Sequence, residues 1–100
     1  MPVDIHLICR HGDKHRRLSR TEFETGNWKV GEKTAEDCIG GHIFLHEKQD
    51  LPAWHGGTLT AWRRAEDEPD RLVFTYLSDG FNFRVRCSGG WGQEVAIVRS

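Results

Sequence analysis

EKTAEDCIGGHIFLH, residues 32–46, decides how this chain is read. In its first half Ala35, Cys38 and Ile39 stand at i, i+3 and i+4, the narrow apolar stripe of one helical face. Gly40 or Gly41 can adopt the left-handed conformation that ends a helix. A helix this short is held by packing rather than by its own propensity. The second half, HIFLH, has three consecutive apolar residues that favour extended backbone. That pattern predicts a strand buried on both faces or nearly so.

Outward from this centre the rest of the chain reads as β-structure. VDIHLIC, residues 3–9, alternates: Val3, Ile5, Leu7 and Cys9 fall on one face, Asp4 and His6 on the other, which predicts a half-buried strand. The basic segment 10–19 reads as a loop. TEFETGNWKVG, residues 21–31, reads as an extended piece broken near Gly26, with Trp28 and Val30 on one side. GGTLTAW, residues 56–62, sets Leu59 and Ala61 against Thr58, Thr60 and Trp62. RRAEDEPD is a polar turn that Pro69 helps to break, and RLVFTYL after it is a strong strand. In FNFRVRC, residues 81–87, Phe81, Phe83, Val85 and Cys87 point inward while Asn82, Arg84 and Arg86 point outward. EVAIV, residues 94–98, closes the series. Six or seven short strands and one helix predict a single domain over residues 1–100, mainly β (α+β) and barrel-like.

Composition narrows the function. The formal net charge of −1 argues against a dedicated non-specific nucleic-acid binder. The charge is segregated, however. Residues 10–20 carry Arg10, Lys14, Arg16, Arg17 and Arg20 against Asp13 alone, whereas EDEPD, residues 66–70, is acidic. Three widely spaced cysteines, Cys9, Cys38 and Cys87, suit buried thiols in a reducing cytoplasm better than a disulfide scaffold. The N-terminal residues lack the apolar core of a signal peptide. No apolar run approaches about 18 residues, so no membrane span is expected.

The chemistry-bearing residues give no reaction. His11 and His15 share H-x3-H spacing with His42 and His46. Four residues along a strand cover about 13 Å, too far for His42 and His46 to share one ion. No metal and no cofactor are expected. The cysteines sit at apolar-face positions, where thiols are inert. No phosphate-cradling motif occurs.

The tryptophans say more. Trp28, Trp54 and Trp91 each lie beside glycine or in turn-like sequence: GNW, PAWHGG and GGWG. An indole beside Gly-rich backbone makes a flat platform for a base. HEKQDLPAWHGG, residues 46–57, presents Trp54 with His55, and Lys48 and Gln49 as further polar groups. Arg84, Arg86 and the 10–20 loop are expected to meet phosphate.

The order TGNWKVGEKTAEDCIGGHIFLHE, GGTLTAW, RLVFTYL and a last hairpin, over roughly residues 20–99, resembles the PUA-like group that includes ASCH, EVE and YTH-type domains. That resemblance implies a barrel with a helix beside it, and binding of RNA or a modified base in the cleft between them. The expected function is therefore non-catalytic recognition of RNA, DNA or a nucleotide-like ligand. Trp28, Trp54 and Trp91 would supply stacking, and Lys48, Gln49 and His55 polar reading. Arg84 and Arg86 would contact phosphate. Two other classes stay open: a His-dependent hydrolase or nuclease, with or without a metal at His11 and His15, and a protein-interaction module.

Overall fold

Among the described residues, seven strands and one helix follow one another: β1 (Val3–Ile8), β2 (His15–Arg17), β3 (Glu22–Trp28), α1 (Glu32–Cys38), β4 (His42–His46), β5 (His55–Arg64), β6 (Leu72–Leu77) and β7 (Val95–Arg99). The computed structural model describes residues 3–9, 15–49, 51–78 and 95–99. The expected strand 81–87 lies outside them, as do the expected site residues Arg84, Arg86 and Trp91.

All seven strands join one sheet in the order β2-β3-β6-β5-β4-β1-β7. β1 and β4 run parallel and the other neighbours are antiparallel. The mainly β architecture with one helix is therefore as expected. The barrel-like closure is not: among the described residues β2 and β7 are the two edges, and no pairing joins them. A parallel pair needs a crossover. The β1-to-β4 connection carries α1, which packs on β1 and β5. A helix laid over one face buries that face without closing the sheet.

The covered face follows from register. Ile5 and Leu7 pair with Ile43 and Leu45, Leu59 with Tyr76, and Thr25 with Phe74. These residues form the core with Ala35 and Cys38 of α1, and all of them are buried. Burying one such large apolar side chain stabilises the fold by roughly 1.5–3 kcal/mol. The helix ends as expected: Gly40 has φ 88°, a value that favours glycine. Ile39, expected on the apolar stripe, instead caps the helix in an extended conformation and is exposed.

Three further readings need correction. β2 lies in the segment read as a loop, because HRR pairs with β3 through its backbone despite its polar side chains. The β5–β6 register shifts between Leu59 and Ala61. That irregularity resets the alternation, so Ala61 is exposed while Trp62 turns back and donates its Nε1–H to Glu36 of α1 at 2.9 Å. Finally, β1 is buried on both faces at His6, which is only 3% exposed.

Candidate functional site: two imidazoles on one phenol

Tyr76, the single tyrosine of the chain, points inward from β6 between Phe23 of β3 and Leu59 of β5. A buried phenol needs a polar partner, and this one has two. Its hydroxyl lies 2.7 Å from His15 Nε2 and 2.7 Å from His55 Nδ1. His15 arrives on edge strand β2, and His55 opens β5. A hydroxyl carries one proton. It therefore donates to one imidazole and accepts from the other, so the two rings play opposite hydrogen-bonding roles at Tyr76.

Aromatic rings pack around this bridge. Phe23 stacks on His15 with centroids 5.2 Å apart and meets the edge of His55 at 4.7 Å. Trp54 lies 5.3 Å from His15 and 5.6 Å from His55. Trp54 is fixed by two bonds: its indole N–H donates to the Cys9 carbonyl at 2.5 Å, and its backbone N–H to that of Leu45 at 2.8 Å. His15, Phe23, Trp54 and His55 are all half-buried, whereas Tyr76 is fully buried. Burial, reinforced by the nearby His15, pushes the His55 pKa down to about 4, so this imidazole is neutral at pH 7. Burial, with the Cys9 thiol close by, pushes the Tyr76 phenol up, so it stays protonated.

A second histidine pair anchors the loop that carries Trp54. His46 donates Nδ1–H to the Leu51 carbonyl at 2.8 Å. Neutral His46 can then accept at Nε2 from His6 Nδ1–H, 2.8 Å away. His6 also stacks on Phe44 with centroids 4.7 Å apart. Burial first, and His46 second, push the His6 pKa down to about 4 against the opposing pull of Asp4. Burial likewise lowers that of His46, although its bond to Leu51 acts the other way.

The expected site residues thus separate. Trp54 and His55 stay together and gain His15, Phe23 and Tyr76. Trp28 does not join them: it is fully buried and donates its indole N–H to Thr25 Oγ1 at 3.1 Å. The irregularity in β3 between Thr25 and Trp28 turns it into the core, so it offers no stacking surface. Lys48 and Gln49 are exposed on the far part of the loop. Arg16 faces Glu24 at 3.8 Å, while Arg17 donates to the carbonyls of Ser19 and Arg20 and lies 5.7 Å from the Phe23 centroid. His11 is outside the described residues, and His15 is turned to Tyr76. His42 and His46 share β4 as expected but have different partners, Asp4 and His6. No group of three or more His, Cys, Asp or Glu side chains placed to hold a metal occurs among the described residues. Cys9 and Cys38 are buried and not joined in a disulfide, and Cys9 Sγ lies 3.8 Å from Thr25 Oγ1. No helix among the described residues is long and apolar enough to cross a membrane.

Sequence reasoning missed Phe23, Tyr76 and the pairing of His6 with His46. A lone tyrosine at an inward strand position was a usable signal for Tyr76. Compared with known proteins, the chain matches no family model, no curated protein and no solved structure.

Proposed function

We propose that the ring cluster binds the planar heterocycle of a nucleotide-like ligand, free or within RNA or DNA, without catalysing a reaction. The observation that carries this reading is the packing of Phe23 and Trp54 against two imidazoles, His15 and His55, that share one buried hydroxyl, all four rings being partly exposed. Trp54 and Phe23 supply apolar ring surface. A neutral imidazole offers both a donor and an acceptor to a base edge, which is the role of His55. Arg17, 5.7 Å from the Phe23 centroid, provides positive charge for a phosphate, and the reading assigns the same role to Arg84 and Arg86, which lie outside the described residues. The order of elements in the sequence resembles that of PUA-like domains, which implies a base-binding role, although among the described residues the sheet is open rather than closed into a barrel.

The test is a titration with the four nucleoside monophosphates and a short single-stranded RNA, followed by tryptophan fluorescence at low and high salt. At least one should bind saturably, and more weakly as salt rises. Base stacking is worth roughly 1–3 kcal/mol per base, so Trp54→Ala should weaken binding by about 5- to 150-fold. If no nucleotide binds, or if the variant binds like the parent, the reading is wrong.

A further inference from the structure

A groove crosses the opposite side of the sheet from the core, and His15 of the ring cluster lines one end of it. It has two adjoining compartments, of about 190 Å³ and about 310 Å³, which share Arg16, Asn27, Arg63 and Val73. Register explains the lining. Arg16 pairs with Glu24 across β2 and β3, and Arg63 with Val73 across β5 and β6. Their side chains rise on the face away from Thr25 and Phe74. Val73, only 6% exposed, forms an apolar floor. Gly26 lines the first compartment beside it, where an added Cβ would meet Val73 Cγ2 at 2.6 Å.

The charges are zoned. At one end the guanidiniums of Arg16 and Arg63 flank the two oxygens of the Glu24 carboxylate, at 3.8 Å and 3.5 Å. Glu24 is 14% exposed and holds both cations over the groove. Each arginine has more N–H groups than this one contact uses. At the other end Glu66 and Asp67 line the second compartment. The Asn27 amide donates to Asp67 Oδ1 at 3.2 Å and to Glu68 Oε1 at 2.8 Å, which fixes the acidic turn against β3. An anion alone would meet three carboxylates in this groove, and a cation alone would meet two guanidiniums. A dipolar molecule satisfies both ends.

We propose that this groove binds a small zwitterion of amino-acid or dipeptide size, with its carboxylate at Arg16 and Arg63 and its ammonium at Glu66 and Asp67. Its alkyl part lies over Val73 and Ala65. The contacts proposed for the zwitterion involve none of the rings around Tyr76, so the proposal does not rest on the nucleotide reading.

The experiment is an NMR titration of the full chain with glycyl-leucine, its N-acetyl form and its C-terminal amide. Saturable shifts are expected at the Asn27 side-chain amide and the Arg63 Nε–H for the zwitterion. Loss of one charge-assisted contact should weaken binding roughly tenfold or more, so both blocked forms should bind at least that much more weakly. Arg16→Gln, at a side chain 76% exposed, leaves the fold intact and should lessen the penalty for amidation while leaving the penalty for acetylation unchanged. Asp67→Asn should do the reverse. No saturable shift at these groups, equal binding of the three ligands, or variants that leave both penalties unchanged would each overturn the proposal.

Discussion

Acidification from pH 7 to pH 5 should strip the fold of a large part of its stability, through histidines that are buried neutral. His6 has a folded pKa of about 4 against 6.5 in the unfolded chain. As pH falls below about 6.5 the unfolded chain takes up this proton first. The contribution of His6 is therefore complete above about pH 6.5, declines below it, and is gone by about pH 4. The whole interval corresponds to about 3 kcal/mol, of which about 2 kcal/mol falls between pH 7 and pH 5. His46 is shifted in the same direction, and so is His55, to about 4. His55 is partly exposed, so its share is smaller. The share of His6 alone is a substantial fraction of the 5–15 kcal/mol typical of a folded domain, and the other two histidines act in the same direction. With a urea slope of about 1.5 kcal/mol/M, the unfolding midpoint should fall by at least about 1 M. His6→Gln lacks the titrating ring, so its midpoint should depend less steeply on pH whatever its stability at pH 7. A parent midpoint that is flat from pH 7 to pH 5, or an NMR titration that gives His6 a pKa above 6, would refute the reasoning.

Two other outcomes follow from single hydrogen bonds. Tyr76→Phe removes the hydroxyl shared by His15 and His55. It should lower stability by about 2–4 kcal/mol in urea unfolding, because two ring nitrogens lose one partner each. Thr25→Val keeps the shape of the side chain but leaves the fully buried Trp28 indole N–H without its acceptor. That should cost about 1–3 kcal/mol by the same measurement.

Much of the fold was legible from local pattern. The alternation of Val3, Ile5, Leu7 and Cys9 marked the core face of β1, and IFL marked a strand buried on both sides. Gly40 marked the end of the helix because its positive φ is a local requirement. What stayed hidden depends on pairing between distant residues. Arg16 and Arg17 look like loop residues until β3 supplies their backbone partners. His6 reads as solvent-facing until the parallel crossover sets Phe44 beside it and brings His46 Nε2 within 2.8 Å. Trp28 reads as exposed because Gly26 lies near it, yet the irregularity at that glycine is what sends the indole inward. The candidate site was half legible. Trp54 and His55 are neighbours in sequence, so their pairing was visible. His15 and Tyr76 are 61 positions apart, and only the finished sheet unites them.

The central claim is that a planar base lies against the rings around Tyr76. It is tested most directly by intermolecular nuclear Overhauser contacts in a saturated complex with the tightest-binding nucleoside monophosphate. The account predicts contacts from the base protons to the Trp54 indole and the Phe23 ring, with His55 Hε1 shifted on binding. Base contacts confined to other residues, with Trp54 and Phe23 unchanged at saturation, would contradict it.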